Sequence, residues 1–217
     1  MNEVQRSKII LKILNKIYPK TPIPLKHKNK FTLLVSVLLS AQTTDVNVNN
    51  VNRNIYSKYN KPEHFVKLGR KKIERLIKSI GIFRVKAKSV YLLSKQLIEN
   101  HNGKVPQTFE ELEKLPGVGH KTASVVMAQG FGYPAFPVDT HIHRLAQRWG
   151  LSNGKNVIQT EKDLKRLFPK KLWNKLHLQI IYYGREFCTA RSCYGLTCKI
   201  CTTCYPNRKS PIKTKKA

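Results

Sequence analysis

Apolar residues recur along this chain at three- and four-residue intervals, and no alternating strand pattern persists, so the sequence predicts an all-α fold. Residues 3–17 make an amphipathic helix with Ile9, Ile10, Ile13 and Ile17 on one side and lysines opposite. Pro19, Pro22 and Pro24 end it and form an extended crossing segment. Residues 31–39 (FTLLVSVLL) are nearly all apolar, which is the composition of a buried helix. Asp45 is placed to cap the next helix, within VNVNNVNRNIYSKY. Short helices are expected over 62–68 and 71–80, the second closed by Gly81 as a C-cap. A long helix over 86–100 carries Val90, Leu92, Leu93, Leu97 and Ile98 on its core side. Helices at about 138–149, 160–168 and 171–183 complete the regular structure. Residues 205–217 hold five basic residues and little to pack, and read as a flexible basic tail.

Between the long helix and that last group lies the most informative stretch. Thr108 and Glu111 in TFEELEKL have the spacing of a capping box, so a helix begins at Thr108, and Pro116 stops it after Leu115. Gly117 and Gly119 bracket Val118 in a turn that calls for left-handed backbone angles. A second helix follows from about His120, with Thr122, Ala123, Val125, Val126 and Met127 as its apolar side. A glycine turn opening a helix leaves backbone N–H groups unpaired, which makes an anion site. Lys121 sits in the first turn, where the helix dipole disfavours a positive charge. Once desolvated, such a lysine is pushed towards the neutral amine that attacks carbon. Asp139 follows 18 residues later, in a proline turn at the head of another helix.

Charge decides which anion matters. Lysine and arginine number 41 against 12 acidic residues, a formal charge of +29 over 217 residues. Such a field attracts polyanions and makes association salt-dependent, and with a glycine hairpin present it favours nucleic acid over a membrane surface. No stretch reaches the 18 apolar residues of a membrane helix, and the N-terminus lacks a signal-peptide cleavage pattern, so a cytoplasmic protein is expected.

All five cysteines lie between 188 and 204, which argues against disulfides spread through a fold and reads first as metal ligation. Cys188, Cys193, Cys198, Cys201 and Cys204 are separated by four, four, two and two residues. A C-x-x-C pair brings two thiolates within reach of one metal, and a third at the same interval suits a loop wrapped on an iron–sulfur cluster or a zinc ion.

LPGVGHKTA at 115–123 followed by VDTHIHR at 138–144 resembles the helix-hairpin-helix and catalytic aspartate of the endonuclease III group of DNA glycosylases. LLSAQTTD at 38–45 resembles that family's LLSAQ-x-TD segment, and GIFRVKA at 81–87 its GLYNSKA-type loop, so the likeness runs from about Phe31 to Cys204. The resemblance implies two helical lobes with the DNA site in the cleft between them. Residues 1–25 and 137–204 would form one lobe, and 26–136, with the hairpin motif at 108–132, the other. It implies a monomeric, nucleoid-associated enzyme that acts on double-stranded DNA carrying oxidised pyrimidines or abasic (AP) sites. Lys121 would be the nucleophile and Asp139 its electrostatic and proton-transfer partner. Gln42 would fill the space left by a flipped nucleotide, with Asp45 near the flipped base, and Ile82 would wedge into the duplex. From the residues alone, Gln42 reads equally as a surface turn residue and Ile82 as the apolar contact of a C-cap. Gly117, Val118, Gly119 and His141 complete the expected DNA-binding set. The family's cysteines, six, two and five residues apart, bind a [4Fe–4S] cluster. Here the pattern departs, and the closest assignment takes Cys188, Cys198, Cys201 and Cys204 as ligands, with Cys193 able to substitute and zinc as the alternative metal.

Overall fold

The computed structural model describes residues 1–217, all helix, turn and loop without a strand. The chain divides into two compact units, residues 23–133 and residues 1–22 with 134–217. The boundaries lie three residues before the expected ones, at Pro22 and Tyr133.

The contiguous unit is built around α2 (Lys30–Ser40), in which every residue from Phe31 to Leu39 is buried. Burial of each of its leucine and valine side chains contributes roughly 1.5–3 kcal/mol, so the helix needs no polar face. Asn29 starts it, accepting from the Thr32 N–H at 2.9 Å while the Thr32 hydroxyl accepts from the Asn29 N–H at 2.9 Å. Around α2 stand α3 (Asp45–Tyr56), α4 (Pro62–Leu68), α5 (Arg70–Leu76), α6 (Phe83–His101), α7 (Phe109–Glu113) and α8 (His120–Phe131). Val90, Leu93 and Leu97 of α6 join one core with α2, whereas Leu92 is left 36% exposed.

The second unit joins α1 (Glu3–Ile17) to α9 (Thr140–Arg148), α10 (Val157–Leu167), a 3-10 turn at Lys170–Leu172, α11 (Trp173–Glu186) and α12 (Lys199–Cys204). Its core contains Ile10, Leu14, Phe136, Trp149 and Tyr183 together with all five cysteines. Trp149 and Tyr183 meet edge to face at 5.6 Å, a favoured aromatic geometry.

Several local expectations are corrected. Ser7, Ile10 and Leu14 form the buried line of α1, and Ile17 lies at the surface, because the i, i+3 and i+4 row closest to α11 differs from the isoleucine row by one position. Thr44, in extended conformation, caps α3 by accepting from the Asn47 N–H at 3.2 Å, and Asp45 is the first helical residue. The helix expected to reach Ile80 ends at Leu76, and Gly81 is not among the glycines with positive φ. Residues 77–80 instead fold into a tight turn closed by the Ile80 N–H on the Ile77 carbonyl. Likewise α7 stops at Glu113, short of Leu115. Residues 205–217, expected to be a flexible tail, have fixed partners. Ile212 N–H donates to the Tyr194 carbonyl at 2.9 Å, Arg208 donates to the carbonyls of Arg148 and Gly195, and the Lys215 N–H donates to Gln147. Composition counted the charges there and overlooked their N–H donors.

Candidate DNA-repair site

The glycine hairpin between α7 and α8 is shaped by two glycines used differently. Gly117 has φ +80°, and a Cβ there would lie 2.8 Å from the Ser89 side chain and 3.1 Å from Leu38 Cδ1. Both backbone angle and packing therefore require glycine. Gly119 has φ −97° and ψ 176°, ordinary extended backbone, so its expected left-handed angle is corrected. It is the N-cap of α8, supplies no side-chain cap, and a Cβ on it would meet nothing within 4 Å. A helix start without a side-chain cap is the arrangement that binds anions. Val118 is buried in the core, and its N–H donates to the Leu115 carbonyl at 3.0 Å, closing the turn. Lys121 is exposed in the first turn of α8. His120 stacks on Phe109 at 5.6 Å and is held by Glu113 at 2.8 Å.

In the same unit, Gln42 and Ile82 occupy two neighbouring turns. Gln42, exposed after the end of α2, has φ +54°; Ile82, 53% exposed before α6, has φ +51°. Left-handed angles are uncommon outside glycine and costly for a β-branched residue. The turns touch, since a Cβ on Gly81 would sit 3.5 Å from the Gln42 carbonyl oxygen. Sequence reasoning passed over Lys86, whose ammonium is buried beneath both turns. Its only signal was a lysine among apolar positions of a helix.

Asp139 is the N-cap of α9, with Oδ1 accepting from the Ile142 N–H at 2.8 Å. One carboxylate oxygen is thereby fixed by the helix start, and the group is only partly covered. His141, two residues on, has Nδ1 3.2 Å from an Arg144 nitrogen, and burial pushes its pKa below the ordinary histidine value. Arg144 also donates to the carbonyls of Gly184 and Cys188. His143 is fully buried, 2.8 Å from the Thr160 hydroxyl.

The thiol sulfurs of Cys188, Cys193, Cys198 and Cys201 all lie within 4.8 Å of one another, and all four side chains are buried. Four mutually close, buried sulfur donors fit a thiolate-bound metal centre. The fourth sulfur in this close group is that of Cys193, the expected substitute, and not that of Cys204. The reason is local geometry. A turn closed by the Leu196 N–H on the Cys193 carbonyl folds the loop back, so that the Cys198 N–H reaches Cys193 Sγ at 3.4 Å. Cys201 lies in the first turn of α12, whereas Cys204 ends that helix about 4.5 Å further along its axis. Cys204 is a separate buried thiol, pushed up to about 11 by burial. Within the set, hydrogen bonds from the neighbouring thiols hold Cys198 well down, and the same sharing raises Cys188 and Cys201. Arg148, itself buried, donates to Cys188 Sγ at 3.4 Å and to the Thr189 carbonyl at 2.6 Å, which fixes the entrance of the loop.

A glycine hairpin followed by an aspartate-capped helix places the chain in a class. Residues 35–170 match the HhH-GPD superfamily base excision DNA repair protein family. The chain is 40% identical to the endonuclease III of Bacillus subtilis (strain 168) over 214 residues, 98% of each protein. It is 39% identical to that of Escherichia coli (strain K12), over 98% of this chain and all of the relative. A solved structure of a non-covalent endonuclease III–DNA complex superposes with a TM-score of 0.88 at 39% identity, covering 92% of this chain and 94% of that one. The chain belongs to the endonuclease III family.

Proposed function

We propose that this protein is a base-excision repair enzyme, a bifunctional DNA glycosylase and AP lyase acting on double-stranded DNA that carries oxidised pyrimidines of the thymine glycol type. The observation that carries the reading is the presence in one chain of both a helix start bearing Lys121 without a side-chain cap and a helix start capped by Asp139, the chain being closely similar to endonuclease III over nearly its whole length. Binding DNA alone requires neither side chain.

The turn of Gly117, Val118 and Gly119 presents the start of α8 to a phosphate of the DNA strand. Ile82 wedges into the base stack and Gln42 fills the vacated space, which holds the damaged nucleotide outside the helix. His141 contributes on the phosphate side. The Lys121 amine, exposed in the free protein, is the nucleophile. Its lone pair attacks the sugar C1′ as the C1′–N bond breaks, and the base leaves with the bonding electrons and takes up a proton. Asp139 stabilises positive charge developing on the sugar and transfers protons. The C1′–O4′ bond then opens, O4′ taking up a proton as the lysine nitrogen loses one, and the resulting Schiff base loses a C2′ proton while the C3′–O bond breaks, so that β-elimination releases the 3′-side strand with its phosphate. The enzyme works as a cytoplasmic, nucleoid-associated monomer.

Cys188, Cys193, Cys198 and Cys201 would hold a [4Fe–4S] cluster, whose contribution is to lock their loop. The loop is basic, with Arg185, Arg191 and Lys199 at or near it, and rests on phosphates. Iron and acid-labile sulfide in the purified protein, lost in Cys193→Ser and retained in Cys204→Ser, are the expected result; zinc in their place would replace the cluster in this reading.

The deciding experiment is borohydride trapping on a duplex with one thymine glycol, comparing wild type with Lys121→Ala and Asp139→Asn. A covalent protein–DNA band that disappears in Lys121→Ala is expected. Base release without any trapped band would make the enzyme monofunctional and remove Lys121 from its role.

A further inference from the structure

We propose that Lys86 is a positioning residue for nucleotide extrusion, tying the turn of Gln42 to the turn of Ile82 so that both side chains enter the duplex as one rigid pair. Lys86 is 3% exposed, and its ammonium donates to the Leu39 carbonyl at 2.9 Å and to the Ala41 carbonyl at 2.5 Å. No carboxylate pairs with it, and burial alone pushes its pKa down. A cation buried against carbonyls only is a costly way to fill space, since an apolar side chain would do so without desolvating a charge. What the cation supplies is placement. The last carbonyls of a helix lack intrahelical partners and carry the negative end of its dipole. Helix α2 has no basic residue in its own last turn, and Lys86 provides one from α6. The same residue's backbone N–H donates to the Ile82 carbonyl at 3.1 Å, closing the first turn of α6. One residue therefore fixes the carbonyl next to Gln42 with its side chain and the carbonyl of Ile82 with its main chain.

Both neighbours need such fixing. Gln42 and Ile82 are two of only four non-glycine residues with positive φ in the chain, and an angle of that kind persists where its surroundings impose it. The hairpin leans on the same strut, because Gly117 packs against Ser89, one turn beyond Lys86, and against Leu38 of α2. The first turns of α6 thus join the phosphate-binding hairpin to both intercalating turns.

The inference rests on the reading that Gln42 and Ile82 enter the duplex, and the test separates the two. Single-turnover base release is measured on a thymine glycol paired with adenine and on the same lesion in an unpaired bubble, where the cost of extrusion is already met. The proteins are wild type, Lys86→Met, Lys86→Arg, Ile82→Ala and Gln42→Ala. Lys86→Met is expected to slow release from the paired lesion about tenfold or more, because unstacking and unpairing a base costs a few kcal/mol that the wedge must supply. It should leave release from the bubble within about twofold, and Lys86→Arg, which keeps charge and donors, should recover part of the paired rate. Equal slowing on both substrates would reduce Lys86 to a stability residue and overturn the proposal. If Ile82→Ala and Gln42→Ala leave the paired-to-bubble ratio unchanged, the wedge reading itself fails. If they shift the ratio while Lys86→Met does not, only the inference fails. Lys86→Gln, which keeps two N–H donors without the charge, serves the same comparison if Lys86→Met does not fold.

Discussion

Helices α8 and α9 begin in opposite ways. The first opens on Gly119, without a side-chain cap and with a lysine in its first turn. The second opens on Asp139, whose carboxylate satisfies the Ile142 N–H, with the next residue Thr140. Propensity alone favours the second arrangement, since aspartate is among the strongest N-caps and a first-turn cation opposes the dipole. The α8 start is therefore the less stable of the two, and what it lacks is an anion. A helix start without a side-chain cap is suited to a partner that supplies one; one that fills its own keeps a carboxylate aligned by the helix it caps.

The comparison breaks most severely at Asp139. Asparagine caps a helix as well as aspartate, so Asp139→Asn should retain thermal stability while slowing base release by about 10²–10⁴-fold, the usual worth of a positioned acid–base group. Asp139→Ala should lose the same activity and about 1 kcal/mol of stability besides, seen in denaturant unfolding. If the asparagine variant unfolds as easily as the alanine one, the cap depends on charge and the two roles cannot be separated. Next in size is Gly117→Ala. With φ +80° and Ser89 2.8 Å from the new Cβ, it should cost about 1–3 kcal/mol and weaken duplex binding. Smaller still, Gly119→Ser should gain a few tenths of a kcal/mol by capping α8. The same hydroxyl competes for the donors a phosphate needs, so affinity for undamaged duplex at fixed salt should fall as stability rises. A variant both more stable and tighter in binding would show that the hairpin does not bind phosphate through those N–H groups.

The mildest effect concerns pH. Burial, with the nearby Lys215 charge, holds the pKa of His143 on α9 below 6.5, so the unfolded chain takes up the proton first as pH falls. That contribution to stability is present above about pH 6.5 and is lost below it, and His143→Gln should flatten the decline in melting temperature between about pH 7 and 5.5.

Much of this was legible in the sequence because period and chain breaks carry it. The apolar run 31–39, the Thr108 cap, Pro62 at the first turn of α4 and the start at His120 all appear where the pattern placed them. What escaped depends on contacts distant in sequence. The choice of Cys193 over Cys204 follows from a turn at 193–196 that no spacing rule encodes, and Lys86 makes its bonds 45 and 47 residues away. Gln42 and Ile82 share a conformation that their side chains disfavour, so local preference pointed away from it.

The interrupted unit has a consequence for synthesis. Helix α1 leaves the ribosome before the rest of its core, since its buried residues Ile10 and Leu14 pack with residues from Phe136 onward. At roughly 5–20 residues per second, its partners emerge on the order of ten seconds later. During that interval residues 23–133 are complete and can collapse on their own, while an unburied apolar stripe remains tethered beside them. Newly made chains are therefore most exposed to misassociation between the emergence of α1 and that of α11, and chaperone capture should map to the first 17 residues.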